Sequence, residues 1–267
     1  MLIDTHCHLD DARFDADRDA VMQRAVEAGV EKIIIPAVHP DNFQAVRTLA
    51  HACPGGAYAL GVHPLFVPQA EESALDELDA ALTSHRDDPR LVAVGEIGLD
   101  FFVPELKTPA MQTRQEHFYQ AQLRLAKQHG LPVILHVRRS QDRILKYLRQ
   151  IAGLSGVAHA FNGSLQQAQG FLDLGFLLGA GGAMTFSRAR QIRRLVTEIP
   201  LEHWVLETDA PDIPPAWLHA PRGSRPRNEP AEVARIAESM AGIRQIPVPE
   251  LVRQTAANAQ RLFFSSS

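Results

Sequence analysis

At 267 residues, with 45% hydrophobic and 22% charged side chains, the sequence fits one large α/β domain over residues 1–267 better than two small ones. No apolar run approaches the roughly 20 residues that cross a membrane, and the first residues do not read as a signal peptide, so we expect a cytoplasmic protein without membrane contact. A formal net charge of −4 argues against a protein that coats nucleic acid but leaves room for a local basic patch.

Apolar runs typical of strands alternate with amphipathic runs typical of helices along the chain. The first apolar run opens at Leu2 and leads into His6 and His8, with Cys7 between them. Further strands are predicted at 30–38, 57–63, 91–97, 132–137, 157–161, 176–180 and 204–208. Helices are predicted at 15–28, 41–52, 73–85, 109–129, 140–151, 164–174, 188–198, 231–241 and 249–263. Cys7 and Cys53 are the only cysteines, too few for a disulfide framework.

The order of these elements predicts the fold. Eight strand-helix units in roughly 250 residues, with strands that are nearly continuous apolar runs, are typical of a (β/α)8 TIM barrel, an α/β fold. A doubly wound open sheet is the competing fold, but it lacks support because no glycine-rich dinucleotide fingerprint follows the first strand. In a barrel, the active site lies at the C-terminal ends of the strands.

Residues of the types that bind metals stand at these strand ends. They are His6 and His8 after the first strand, Glu96 after the fourth, His136 after the fifth, His159 after the sixth and Asp209 after the eighth. Because side chains alternate along a strand, Glu96, His136, His159 and Asp209 each share a face with apolar residues that would fill the barrel, and His6 and His8 point the same way as each other. The apolar residues on this face are Val92, Val94, Ile134, Val157 and Val205.

Burying so many polar side chains at one rim costs free energy unless an ion compensates them. Imidazole and carboxylate together suit Zn, Mn, Fe, Co or Ni, and also Mg where carboxylate and water dominate. Six ligands exceed the needs of one tetrahedral ion, which indicates two divalent ions about 3.5–4 Å apart. A single carboxylate, most simply Glu96, would bridge them.

Five sequence motifs together resemble the TatD family of metal-dependent deoxyribonucleases, part of the amidohydrolase-like barrel superfamily. They are I-D-T-H-C-H-L-D at 3–10, G-V-H-P at 61–64, G-E-I-G-L-D at 95–100, L-E-T-D-A-P at 206–211 and R-N-E-P at 227–230. The resemblance runs over essentially the whole chain. It implies that His6, His8, Glu96 and Asp209 hold one metal ion, and that Glu96, His136 and His159 hold the second.

Two segments depart from the pattern of many members of that family. His136 is followed by Val-Arg-Arg instead of Cys-Arg-Asp, and His159 by Ala-Phe-Asn-Gly instead of Cys-Phe-Ser-Gly. Both variants look closer to the YjjV branch of the family. They leave the metal ligands intact and leave the substrate preference open.

Each rim residue has an expected role. Asp209 ligates a metal and accepts the proton of the attacking water. His63 contacts phosphate or donates a proton to the leaving group, with a structural loop histidine as the alternative. Arg138 faces the same way as His136 and binds phosphate, unless it only begins a helix in solvent. Asp4 is placed to orient an imidazole, and Glu207 points inward without an assigned role.

The sequence therefore predicts a hydrolase that cleaves phosphodiester bonds at DNA or other nucleic-acid ends, with two Mg, Mn or Zn ions and no obligate protein partner. Phe102 and Trp217 are candidate stacking surfaces for a base, or core residues. The first alternative function is metal-dependent hydrolysis of a small amide, ester or lactone. The second is a barrel that binds metal without catalysis.

Overall fold

The sheet is a ring of parallel strands in a computed structural model that describes residues 1–220 and 223–265. Its eight strands are β1 Leu2–Asp4, β2 Val30–Pro36, β3 Gly56–Leu60, β4 Leu91–Asp100, β5 Val133–Arg138, β6 Gly156–Ala158, β7 Phe176–Ala180 and β8 Trp204–Leu206. Each strand pairs with the next one along the chain, from β1 to β8. This order is that of a (β/α)8 barrel, so the predicted fold is confirmed.

Helices cover the outside of this ring. They are α1 Arg18–Glu27, α2 Phe43–Ala52, α3 Ser73–Ser84, α4 Pro109–His129, α5 Gln141–Gln150, α6 Leu165–Leu172, α7 Arg190–Glu198, α8 Val233–Arg244 and α9 Val248–Phe263. Within residues 1–220 and 223–265, no helix combines the length and the apolar character that a membrane span requires.

Single backbone hydrogen bonds, not a regular ladder, join β8 to β1. Thr5 N donates to Leu206 O at 3.0 Å, Asp209 N to His6 O at 2.8 Å, and His8 N to Ala210 O at 2.8 Å. The first bond ends on the last residue of β8, and the other two lie beyond the ends of both strands. They fix the segment after β1 against the segment after β8 and so bring their side chains to one rim.

An apolar cluster with members from every strand fills the barrel. Its strand residues are Ile3, Ile34, Ala57, Ala59, Val92, Ala93, Ile134, Val157, Leu177 and Val205. Ala256, Ala259 and Phe263 of α9 belong to the same cluster. Phe263 also lines a cavity with residues at the starts of strands, among them Leu91 and Ser155. The end of α9 therefore closes the N-terminal end of the barrel.

The strand ends differ from the predicted ones. β1, β6 and β8 end before the predicted metal ligands, which follow on short irregular segments, whereas β4 continues past the predicted end to Asp100. The inward placement of Val94 was wrong, because this residue packs in the layer between sheet and helices. The pairing of β4 with β5 changes register between Val94 and Ile97, which breaks the simple alternation.

Candidate metal centre

The two histidines after β1 turn their rings to the same point. Their Nε2 atoms lie 3.2 Å apart, with the His6 side chain fully buried and 18% of the His8 side chain exposed. Burial lowers the pKa of His6 to about 3. Burial also opposes protonation of His8, but Glu96 outweighs it and raises the pKa of His8 to about 9. Two ring nitrogens this close need a proton or a cation between them.

Glu96 lies at the centre of the site, with its two carboxylate oxygens facing different histidines. Oε2 is 3.1 Å from His6 Nε2 and 3.3 Å from His8 Nε2. Oε1 is 2.8 Å from His136 Nδ1 and 3.1 Å from His159 Nε2. Burial alone would raise the pKa of this carboxyl, but the surrounding imidazoles hold it well below its ordinary value. The carboxylate therefore stays charged. It lies between two groups of possible metal ligands, which we call donor groups, one near Oε2 and the other near Oε1.

Asp209 completes the donor group on the side of β1. Its Oδ1 lies 3.4 Å from His6 Nε2 and 3.7 Å from His8 Nε2. A left-handed backbone (φ 57°) turns the side chain to this position, and Asp is one of the residues that tolerate it. Burial raises the pKa of Asp209 to about 6. With 13% of its side chain exposed, the carboxylate borders the open cleft.

His63 lies on the other side of Glu96. Its Nδ1 accepts a hydrogen bond from Leu65 N at 3.0 Å, so neutral His63 carries its proton on Nε2. This Nε2 is 3.3 Å from Glu96 Oε1 and 3.1 Å from His136 Nδ1. The tautomer makes His63 a hydrogen-bond donor to the site and removes the lone pair that a metal ligand needs.

A carboxylate stands behind two of the three histidines that face Glu96 Oε1, namely His136 and His159. Asp100 Oδ2 is 3.2 Å from His136 Nε2, and Glu207 Oε1 is 3.4 Å from His159 Nδ1. Such pairs fix the tautomer and direction of a metal-binding imidazole. Sequence reasoning missed Asp100, although it ends the G-E-I-G-L-D motif and shares the parity of Glu96. Glu207, left without a role, lies beneath His159 and accepts the Ala160 N–H at 2.5 Å.

Asp4 does not orient an imidazole, contrary to the prediction. Its Oδ1 accepts the backbone N–H of His6 at 3.3 Å and of Thr208 at 2.9 Å, and Thr208 Oγ1 donates to its Oδ2 at 2.6 Å. The side chain thus joins the backbones after β1 and β8. Asp4 therefore positions the backbone of the two rim segments, and the imidazole rings are oriented by other residues.

The residues present fit divalent metal ions. Three overlapping groups have one possible ligand atom per residue within 4.8 Å of the others: His6, His8 and Asp209; His6, Glu96 and His159; and His63, Glu96 and His136. In the third group, the proton on Nε2 keeps His63 from acting as a ligand. Imidazole nitrogens and carboxylate oxygens converge on a buried space without a lysine or arginine among them, which is the donor set of transition-metal sites. A cation there would balance Glu96 and Asp209 and occupy the lone pairs that face one another.

Arg138 and Phe102 lie at the outer edge of this centre, where Arg138 Nη1 is 3.7 Å from Asp100 Oδ2. Arg138 is exposed, as is Phe102. Trp217, the other aromatic candidate, packs against the core and donates from Nε1 to Glu232 at 2.6 Å. Of the two candidate stacking surfaces, only Phe102 is open at the rim.

A (β/α)8 barrel with a buried carboxylate among histidines at its C-terminal rim defines a class, the metal-dependent hydrolases. Comparison with known proteins agrees with this class. The family model described as TatD related DNase matches residues 3–264. The chain therefore belongs to the TatD family, and the resemblance carried by its motifs is confirmed.

Relatives match over nearly their whole length. The chain is 41% identical to the uncharacterized metal-dependent hydrolase YjjV of Escherichia coli, over 98% of this chain and 97% of that protein. It is 36% identical to the 3′-5′ ssDNA/RNA exonuclease TatD of Edwardsiella piscicida, over 98% and 99%. The crystal structure of E. coli YjjV superposes with a TM-score of 0.90 at 38% identity, covering 99% of this chain and 98% of that one.

Proposed function

We propose that this metal-dependent hydrolase cleaves phosphodiester bonds at the ends of nucleic-acid strands with two divalent ions, Mg, Mn or Zn. His6, His8, Glu96 and Asp209 would hold one ion, and Glu96, His136 and His159 the other. The observation that carries this proposal is the position of Glu96. Its Oε2 lies near His6 and His8, and its Oε1 near His136 and His159, as a carboxylate shared by two ions requires.

Two divalent ions in such a site supply an acidified water and neutralise the phosphate oxygens. Asp209 accepts the proton of the attacking water, since its carboxylate lies at the boundary between the buried donors and the cleft. Glu96 keeps the two donor groups at a fixed separation. Asp100 and Glu207 keep the rings of His136 and His159 turned toward Glu96.

His63 and Arg138 serve the substrate in this proposal. His63 presents an N–H from Nε2, because Leu65 N occupies its Nδ1, and this N–H donates a hydrogen bond that stabilises the negative charge on the leaving oxygen. Arg138 reaches out from the end of β5 with a planar guanidinium that suits two oxygens of one phosphate. Both groups act on the side of Glu96 that faces His136.

Nucleic acid as the substrate rests on the relatives and on the rim. A relative 36% identical to this chain is named a 3′-5′ ssDNA/RNA exonuclease, and Arg138 and Phe102 offer a phosphate contact and an aromatic surface beside the metal centre. The YjjV protein is named only as a metal-dependent hydrolase. Small amides, esters and lactones are therefore the substrates to screen if nucleic acid is not cleaved.

The test is digestion of end-labelled single-stranded DNA by metal-stripped protein that is resupplied with Mg, Mn or Zn. We expect metal-dependent ladders whose label position gives the direction of digestion. Asp209→Asn should abolish them, while Asp212→Asn, a change of the same kind at an exposed residue paired with Arg13, should not. Absence of cleavage from protein that binds two ions would refute the nuclease and lead to the small-molecule screen.

A further inference from the structure

Three cationic side chains surround one aromatic ring at the rim. The guanidinium carbons of Arg138 and Arg139 lie 4.0 Å and 4.7 Å from the centroid of Phe102, and Lys107 Nζ lies 5.7 Å from it. All four side chains are exposed, Phe102 to 39%. We call Phe102, Lys107, Arg138 and Arg139 the rim cation cluster.

The positive charge of this cluster is poorly balanced within the protein. Within residues 1–220 and 223–265, its one ion pair joins Arg138 to Asp100 at 3.7 Å. That carboxylate is fully buried and lies closer to His136, at 3.2 Å. Cations on a ring face gain roughly 0.5–1 kcal/mol each at exposed sites, but three of them repel one another. An anion bound among them removes this repulsion.

The backbone directs both guanidinium groups to the same place. Asp100 pairs with Arg138 in the ladder between β4 and β5, and Phe101 N donates to Arg138 O at 2.9 Å. Arg139 has a left-handed backbone (φ 56°), which is uncommon for a residue with a long side chain. The next residue is fixed by a buried bond from Ser140 Oγ to Leu99 O at 2.6 Å. Strain of this kind often marks a functional position.

We propose that Arg139 and Lys107 of the rim cation cluster form a second phosphate subsite, which binds the phosphate next to the cleaved one, contacted by Arg138, in a single strand of nucleic acid. This inference rests on the proposed function and adds to it the class of substrate. The cluster adjoins the metal centre through Asp100, which contacts both Arg138 and His136. Arginine forks bind phosphate oxygens in pairs, and the free part of the Phe102 ring offers a surface to the adjoining base.

The subsite should distinguish nucleic-acid strands, which carry a second phosphate, from small phosphodiesters, which do not. A strand with a phosphate beyond the cleaved one gains contacts with Arg139 and Lys107, whereas a small phosphodiester such as bis(4-nitrophenyl) phosphate has no group that reaches them. Each phosphate contact in a single strand adds about 0.7 to the slope of log affinity against log salt concentration. Strand binding should therefore depend on salt through this cluster.

The experiment measures binding of a fluorescent, hydrolysis-resistant phosphorothioate single strand to the metal-loaded protein over a range of salt concentrations. We expect the double variant Arg139→Gln/Lys107→Gln to bind about 10- to 30-fold more weakly and to lose about 0.7 from the salt slope, the value of one phosphate contact. Arg253→Gln, which removes an exposed arginine from α9, is the matched control and should bind like the wild type. Melting curves establish that all variants are folded.

A neutral methylphosphonate at the second linkage from either end tests which phosphate is bound. Placed at the correct linkage, it should weaken binding to the wild type as much as the double variant does and cause little further loss in that variant, because both changes remove one contact. Additive losses at every linkage, or an unchanged salt slope, would overturn the subsite. In cleavage assays, the loss should be at least about fivefold larger for an oligonucleotide than for the small diester.

The two proposals fail separately. If the wild type binds the strand with the expected salt slope but cleaves neither strand nor small diester with any metal, the subsite stands and the phosphodiesterase is refuted. If the wild type cleaves both substrates and the double variant binds like the control, the phosphodiesterase stands and the subsite is refuted.

Discussion

At the C-terminal end of the barrel, Glu96 is buried among imidazoles, whereas at the opposite end Phe263 is buried among the apolar residues of the barrel and of α9. Both side chains are almost inaccessible to solvent. Burial of a carboxylate costs free energy unless partners compensate it, while burial of an aromatic ring stabilises the fold. The carboxylate at one end therefore depends on the imidazoles around it, whereas the ring at the other end stabilises the fold through its burial.

Because the two ends differ in this way, substitutions at one end should affect chemistry and substitutions at the other should affect stability. At the metal centre, a neutral replacement of the same size leaves no cavity, so it should cost far less stability than a truncation does and still remove the chemistry. At the closed end, truncation leaves a cavity, so it should cost stability and spare the chemistry. Substitutions at the two ends can therefore test whether effects on catalysis and effects on stability are separate.

Glu96→Gln tests the metal centre most directly. The amide keeps the size of the side chain but has one neutral oxygen, so it cannot serve two donor groups as a carboxylate does. We expect turnover to fall by about a thousandfold or more, equivalent to about 4 kcal/mol of activation free energy. In the presence of chelator, the melting temperature should change by less than about 4 °C. An active variant, or a protein that no longer folds, would contradict the assignment of Glu96.

Phe263→Ala tests the closed end. Loss of the ring from the interior cluster should lower the free energy of unfolding by about 3 kcal/mol, seen as a fall of about 6–12 °C in melting temperature. Turnover measured well below that temperature should stay within about twofold. Phe264→Ala, which removes a partly exposed ring beside Lys32, is the control and should cost less. A loss of turnover comparable to that of Glu96→Gln would break the separation of the two ends.

The two ends also differ in how well the sequence predicts them. Period-two alternation places one residue of each apolar run inside the barrel, and the packing of Ile134, Val157 and Val205 agrees with it. It fails at Val94, where a change of register interrupts the strand. The closure of the N-terminal end of the barrel by α9 could not be predicted from the local sequence. Phe263 contacts residues at the strand starts that lie far from it along the chain.

At the rim, sequence reasoning found the side chains that surround Glu96 and missed what stands behind them. Asp100 was overlooked because the fourth strand was expected to end at Ile97, although it continues to Asp100. The tautomer of His63 depends on the backbone N–H of Leu65, which no spacing in the sequence reveals. Partners of this kind are set by backbone geometry and long-range contact, so they appear only in the structure.

Asp100→Asn tests the smallest of these effects, the orientation of His136. Asp100 Oδ1 accepts the N–H groups of Phe102 and Val103 at 2.7 Å and 3.0 Å, and Oδ2 faces His136 Nε2. An asparagine that keeps the first two bonds turns its NH2 group toward His136. The ring must then accept at Nε2 and carry its proton on Nδ1, which is the atom that faces Glu96.

The expected result is a 10- to 100-fold loss of metal affinity, about 1.4–2.7 kcal/mol, measured by competition with a chelator. Ring nitrogen NMR shifts of His136 should show the proton moved from Nε2 to Nδ1, a change that a loop defect alone would not produce. Glu105→Gln, at an exposed position of the same loop, is the control. Unchanged affinity and an unchanged tautomer would limit Asp100 to holding the loop after β4, and His136 would then owe its direction to Glu96 and His63 alone.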